Sequence, residues 1–539
     1  MHNNHQSDRL SWGDTVFLNL EREGMPLNVA AVCVFEGQVS FDDCVQFVAS
    51  KLPLIPRYLK RVVPEPFGLG LPSWEYDREF DLRNHVREVT LKNGTDAELK
   101  AVAAKLFGEV MDRRHPLWDM TFVRGLKGNH TGLIMRLHHC LADGIAGVGL
   151  MNVIFDASAE APRLPRKKLR VRAPAVSRDP LSSLASGFLD SYSDFVKRVL
   201  SGYADLLSIV ERTAVTNGNG TANGMANGKS VTEELAQLLP EMTATTERLR
   251  FNVVYRGPQK FAWTELPLDQ IKAIKEACGA SVNDVLLTLV TSTIRRYTEL
   301  HGDAVKDRLL RLMVPVNLRG NDNAQNLGNR ISIIPVTVPL DIRNPLKLLA
   351  EVHRRTEFLK KSHAAELVSL AGGLIGIFPS AMQAFVGPAM SKLPITPFNM
   401  VCTNVPGPQY PLYLIGHKLL RWYPYVPVGG EMAVNCAILS YDGKVFFGFS
   451  GDVHAAPDLG RMEKFVKESF AELRSALRAP RKNAARAKKT AAKKSATEKP
   501  ARAAAKVGVP VDGAASSSKE TVSVPTQNAE EPVRADAVA

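Results

Sequence analysis

Two adjacent histidines, His138 and His139, close the apolar run Leu133-Ile-Met-Arg-Leu137 and lead through Cys140-Leu-Ala to Asp143 and Gly144. An unperturbed imidazole titrates near about 6.5, so near neutral pH a ring in this place is available as a base for a hydroxyl proton. A strand that ends in histidine, turns on Asp and Gly and enters a helix can hold that ring rigidly at a sheet edge. Successive residues of a strand face opposite ways, so His138 and His139 do not serve one site together, and a metal held by the pair is disfavoured. The same alternation turns Cys140 away from His139, which argues against a cysteine nucleophile. Asp143 either orients the imidazole or ties the turn to an arginine elsewhere, and the structural tie is favoured. Two other chemistries lack their residues. Gly448-Phe-Ser-Gly-Asp452 fails a serine-esterase elbow at its fifth position, and a phosphate loop ending at Gly228-Lys229-Ser230 needs glycine where Asn223 stands.

The elements that must position these residues are partly legible. A chain of 539 residues, 45% hydrophobic, exceeds what one core comfortably holds, and two globular stretches are expected. The first, 1–157, has strand-like runs at Leu27–Phe35, Thr121–Arg124 and Gly132–Leu137, and Thr95 with Glu98 forms a capping box that opens a helix. The second, 251–478, reads as a helix over Pro267–Cys278 that stops at Gly279, then a helix capped by Ser281 that runs to Leu300. Strand-like runs follow at Leu309–Val316, Ile331–Val338, Met400–Asn404, Val434–Leu439 and Val445–Ser450. Between the two, 158–250 reads as a linker with an amphipathic segment at Leu181–Arg212 and an Asn/Gly-rich break from Asn217. Leu367–Met390 is the most apolar stretch, but Pro379 and Pro388 interrupt it, which leaves a broken helix pair, an interfacial surface or a spanning helix open.

The six cysteines are scattered without short metal-type spacing, and the polar opening residues carry no secretory core, so a cytoplasmic, reducing location is expected. The formal charge of +13 is concentrated: residues 481–506 hold ten Lys/Arg against the single acid Glu498. That Lys/Ala-rich run within 479–539 reads as disordered and, lacking aromatic residues to stack on bases, as a tether to an anionic inner-membrane or lipid-droplet surface. Non-specific nucleic-acid binding and a merely solubilising tail stay open.

His138-His139-x-x-x-Asp143-Gly144 resembles the active-site motif shared by chloramphenicol acetyltransferases, peptide-synthetase condensation domains and their relatives. Further matches resemble one branch, the bacterial wax ester synthase/acyl-CoA:diacylglycerol acyltransferase family. They are Leu10-Ser-Trp-Gly-Asp14 with Phe17-Leu-Asn-Leu-Glu21, Pro116-Leu117-Trp118, Ser281-Val-Asn283-Asp284-Val285, Pro315-Val-Asn-Leu-Arg319, Gly328-Asn329, and Asn404-Val-Pro406-Gly407-Pro408. The likeness covers 10–156 and 251–477 and leaves out 157–250 and the tail.

The resemblance implies an α/β (α+β) fold of two chloramphenicol-acetyltransferase-like domains, each a mixed sheet packed by helices, with a tunnel between them and His139 midway along it. Acyl-CoA, a substrate rather than a cofactor, enters by one mouth, and diacylglycerol or a long-chain alcohol by the other. His139 is the general base and Asn283 the candidate oxyanion donor. His138, Asp143, Gly144 and Asp284 are structural at the site, with Arg319 a partner for Asp143. Pro116 and Trp118 are candidates for the tunnel wall or the core, and Asn404, Pro406 and Gly407 for lining the tunnel. A carrier-protein-dependent acyltransferase, and a non-catalytic lipid-surface or nucleoid-binding protein, are the rival readings.

Overall fold

The computed structural model describes residues 9–64, 71–142, 144–160, 247–317, 331–361 and 398–478. The elements of the first half are α1 (Trp12–Leu20), β1 (Asn28–Glu36), α2 (Phe41–Lys51), β2 (Lys60–Val63), β3 (Ser73–Tyr76), β4 (Val86–Thr90), α3 (Asp96–Phe107), β5 (Trp118–Leu126), β6 (His130–His138) and α4 (Gly144–Ile154). The second half contributes β7 (Gln259–Pro267), α5 (Leu268–Cys278), α6 (Val282–Leu300), β8 (Leu309–Asn317), β9 (Ile331–Pro339), α7 (Pro345–Lys361), β10 (Met400–Pro406), β11 (Tyr413–Leu414), β12 (His417–Tyr425), β13 (Val434–Tyr441), β14 (Lys444–Asp452) and α8 (Arg461–Arg478). The phosphate-loop and 181–212 readings, the linker apart from 158–160 and 247–250, the stretch 367–390 and the basic run 481–506 lie outside the described residues.

Local chemistry accounts for the helix ends. Thr95 accepts from the Glu98 amide while the Glu98 carboxylate receives the Thr95 N–H, so both halves of the expected capping box form. Ser281 and Asp284 repeat the arrangement at α6. Gly279 ends α5 at φ 64°, a left-handed conformation that glycine adopts without a Cβ penalty. The sequence reading did not resolve α1, α2, α7, α8, β2, β3, β4, β7, β11 and β12.

Twelve of the fourteen described strands form two six-stranded mixed sheets, in the orders β11-β12-β1-β6-β5-β4 and β7-β14-β13-β10-β8-β9, and β2 pairs with β3 in a separate two-stranded antiparallel sheet. In the first sheet β4 and β5 are parallel and the other pairs antiparallel; in the second, β10 runs parallel to both β8 and β13. The expected division at 251–478 needs a correction, because β11 and β12 leave the second half and complete the first sheet. Ala30 pairs with Tyr425 and Cys33 with Trp422 along β1. Leu419, Trp422, Tyr423 and Tyr425 are accordingly buried in the hydrophobic core of the first half.

The two sheets press together where β12 crosses β14. A Cβ added at Gly448 would sit far inside van der Waals contact distance of the Pro424 carbonyl oxygen and also crowd the Phe261 ring at 3.0 Å. Gly448→Ala should therefore strain backbone rather than a flexible side chain and lower stability by roughly 1–3 kcal/mol, read as a fall in urea midpoint. An unchanged midpoint would mean that the two sheets can separate at this crossing without cost.

Candidate active site

Strand β6 pairs with β1 through Asn28 and His138, and the pairing continues one residue further, where the His139 N–H donates to Leu27 O at 2.9 Å. On its other edge His138 N–H donates to Leu117 O at 2.9 Å. The histidine pair is thus fixed by backbone on both sides, and alternation sends the two rings apart. Met135, Leu137 and His139 line a cavity, while Arg136 and His138 face the other way.

His138 is fully buried. Its Nδ1 accepts the Cys140 N–H at 3.1 Å, so Nε2 carries the proton, and Nε2 stands 3.4 Å from Glu21 Oε1. Glu21 also accepts from the Leu27 N–H at 3.1 Å and from Arg113 at 3.1 Å. Burial alone would raise the Glu21 carboxyl; the contacts from His138, Leu27 and Arg113 outweigh it and hold the carboxyl below its ordinary value. A carboxyl lowered on folding contributes stability that is present above its unfolded pKa and lost as pH falls through its folded value. Glu21→Gln should then be less stable than wild type by roughly 1.5–3 kcal/mol at neutral pH, with the gap in urea midpoint narrowing below about pH 4. Cys140 is buried and its thiol is pushed well up by that burial, which removes it as a nucleophile.

His139 is only partly buried and faces a cavity of about 150 Å³ between the two sheets. The wall on its own side comes from Val29–Ala31 of β1, from β6, and from Gly144, Gly147, Val148 and Met151 of α4, one face of that helix at 3-, 4- and 7-residue spacing. The opposite wall comes from Pro315 of β8, Thr403–Val405 of β10 and Ala437–Leu439 of β13, and β12 adds Trp422, Pro424 and Tyr425. Gly144 lets α4 approach β10, since a Cβ there would meet Val405 Cγ2 at 3.0 Å. The Phe17 ring of α1 stacks on the His139 ring, centroids 4.0 Å apart and planes 4° from parallel.

The expected site residues divide. Asn404 lines the cavity and donates through Nδ2 to Asn283 Oδ1 at 3.2 Å. Asn283, expected as the oxyanion donor, is not among the described residues that line the cavity; it meets the site through the Asn404 carboxamide. Asp284 is fully buried, with Oδ1 accepting from Thr356 at 2.6 Å and Oδ2 2.9 Å from His353 Nδ1, so it ties α6 to α7. Burial raises its carboxyl, and those hydrogen bonds with Ser281 bring it below the usual range.

Trp118, expected to shape the tunnel wall or the core, is 2% exposed in the core, stacked on Tyr58 and His85, with Nε1 donating to Tyr58 O at 2.8 Å. Pro116 is buried beside it and does not line the cavity. Pro406 and Gly407 lie past the lining stretch of β10, where Gly407 N–H donates to Ser440 O at 2.9 Å. Asp143 and Arg319 lie outside the described residues. Phe17 and Glu21 had only a motif likeness to mark them: each meets a histidine more than a hundred positions away, which no local pattern encodes.

The family model for the wax ester synthase/diacylglycerol acyltransferase catalytic domain matches residues 10–286, and that for the corresponding C-terminal domain matches 327–474. The chain belongs to this family. It is an O-acyltransferase by that membership. A Mycobacterium tuberculosis protein described as a probable diacylglycerol O-acyltransferase, tgs1, is 26% identical over 449 residues, covering 83% of this chain and 91% of its own length. A second from that organism, tgs2, is 26% identical over 482 residues, with 87% and 99% covered. Among solved structures, the wax ester synthase/diacylglycerol acyltransferase from Marinobacter aquaeolei VT8 matches with TM-score 0.59 at 23% identity, covering 87% of this chain and 99% of that one. The first condensation domain of a calcium-dependent antibiotic synthetase matches with TM-score 0.54 at 13% identity over 86% and 95%. These likenesses establish the fold expected from the resemblance.

Proposed function

We propose that this acyltransferase moves a long-chain acyl group from acyl-CoA to diacylglycerol, to a long-chain alcohol or to both, with His139 as the general base. The observation that carries the reading is a mostly apolar cavity between two sheets with one imidazole in its wall. Apolar lining favours a hydrocarbon chain over water, and an imidazole at that wall supplies a base where the chain's reactive end would lie.

In this scheme the neutral His139 ring takes the proton of the acceptor hydroxyl as its oxygen attacks the thioester carbonyl. The C–S bond then breaks, the carbonyl re-forms, and the proton passes from the imidazolium to the departing CoA sulfur. Acyl-CoA is consumed as a substrate, and the scheme calls for no cofactor. Asn404 is the group we assign to the oxyanion. Its Nδ2 has two hydrogens, one given to Asn283 and one left to donate, so Asn283 acts by holding the Asn404 carboxamide. The N-terminus of α4, opening on the cavity at Gly144, adds a positive dipole end of the right sign for that charge.

The reading is tested by offering purified enzyme palmitoyl-CoA with diolein or hexadecanol and following free thiol together with ester on thin-layer plates. Thiol released in step with triacylglycerol or wax ester supports it. Ester formed only from a carrier-bound thioester, with palmitoyl-CoA inert, would favour a carrier-dependent enzyme.

The basic run 481–506 is assigned on composition to an anionic membrane or lipid-droplet surface, where both lipid substrates are found, and this makes the cytoplasmic enzyme peripheral. No described helix is by itself long and apolar enough to cross a membrane. Removal of 479–539 should abolish co-sedimentation with anionic vesicles, and undiminished recovery in the pellet would overturn the tether.

A further inference from the structure

We propose that Phe17 is a positioning residue for the base: its aromatic face fixes the plane of the His139 ring and supports the positive charge that the ring acquires in the transition state. The proposal rests on the assignment of His139 as the base and goes beyond it, to a residue 122 positions earlier in the chain.

The two rings lie 4.0 Å apart and 4° from parallel, so one face of the imidazole is covered and its rotation about the Cβ–Cγ bond is limited. Phe17 is not placed there by the core. Among the described residues of the first half's hydrophobic core, its neighbour Leu18 is included and Phe17 is not. Its position is set by the ends of α1. At the N-terminus, Ser11 and Asp14 form a capping box, with the Ser11 hydroxyl accepting the Asp14 N–H at 3.1 Å. At the C-terminus, Arg113 donates to Leu18 O at 2.7 Å, and Glu21 accepts the Leu27 N–H. Leu27 is the same residue whose carbonyl accepts the His139 N–H. The helix and the catalytic turn are thus tied to one strand start, and Phe17 meets His139 with little freedom left to either.

The chemistry of the step gives that contact a purpose. A neutral imidazole becomes an imidazolium as it takes the hydroxyl proton. The face of a benzene ring carries negative potential and attracts a cation, more strongly where water is excluded. A contact that strengthens as charge develops lowers the barrier, whereas one equal in both states changes only binding. An aliphatic side chain of similar bulk would keep the packing and lose this difference.

The test compares Phe17→Leu, Phe17→Tyr and Phe17→Trp in the full chain, with His139→Ala as the control, by steady-state transfer from palmitoyl-CoA to diolein. The result expected is a Phe17→Leu enzyme with kcat lower by roughly ten- to thirtyfold, KM for palmitoyl-CoA kept within about twofold, and an unchanged urea midpoint. Phe17→Tyr or Phe17→Trp should recover most of the rate, because each restores an aromatic face. A Phe17→Leu enzyme at the wild-type rate, or one altered in KM alone, would overturn the proposal. So would an equal loss in the leucine, tyrosine and tryptophan variants, since that is the mark of packing rather than of the π face. An inactive His139→Ala beside an undiminished Phe17→Leu removes this inference only, whereas a fully active His139→Ala removes the base assignment and this inference with it.

Discussion

A His139→Ala enzyme should form ester roughly a thousandfold more slowly than wild type, while its affinity for palmitoyl-CoA changes little. Removing a positioned base costs on the order of a hundred- to ten-thousandfold, and the upper part of that range applies where no second base can reach the hydroxyl. The other histidine of the pair cannot take over. His138 is fully buried on the opposite face of β6, with Nδ1 occupied by the Cys140 amide and Nε2 turned to Glu21. The substitution leaves the local backbone in place, because the bonds from His138 N–H to Leu117 O and from His139 N–H to Leu27 O do not use the ring. A slow variant with an unchanged urea midpoint is therefore the expected pairing, measured by thiol release under saturating acyl-CoA.

The second large effect should come at Asn404. Loss of one oxyanion donor typically lowers kcat by roughly a hundred- to a thousandfold, so Asn404→Ala should fall in that range with KM nearly kept. Asn283→Ala should cost less, since its Oδ1 receives the Asn404 Nδ2 and acts on the reaction only through that carboxamide. Their double variant should then be no slower than Asn404→Ala alone, the non-additivity of two groups that work as one. Reversed ranking, with Asn283→Ala the slower enzyme, would return the donor role to the residue first expected to hold it.

What could be read from the residues, and what could not, follows the range of the interactions. His139 was legible because its strand, its turn and its alternation with His138 are all written within a dozen positions, and β6 with α4 reproduce that order. The caps at Thr95 and Ser281 were legible for the same reason: the bonded atoms lie three residues apart. The crossover of β12 was not. Its sequence holds Pro424, which removes a ladder donor and argues against an inner strand. That proline is tolerated because β12 pairs with β1 on one side, while on the other β11 reaches only His417 and Lys418. Past that point β12 is an edge.

The site divides along the same line. The family likeness pointed to the Asn283 and Asn404 segments without saying which carboxamide reaches the cavity, since that depends on a contact between residues 121 positions apart. Trp118 was marked only by its Pro-Leu-Trp motif, which does not say whether it faces the tunnel or the core. Its contacts with Tyr58 and His85 are non-local, and they hold it in the core. Phe17 lies in a short helix and Glu21 caps its end, and their partners stand at the end of β6 more than a hundred positions away, so their motif could be noticed without its purpose being visible.

Direct transfer, with His139 moving a proton and never carrying the acyl group, is tested most simply by rapid mixing of the enzyme with palmitoyl-CoA and a thiol reagent, with and without diolein. Without acceptor there should be no burst of thiol, and with diolein one thiol should appear for each ester formed, both requiring His139. A burst equal to the enzyme concentration in the absence of acceptor would show a covalent acyl-enzyme and contradict the account.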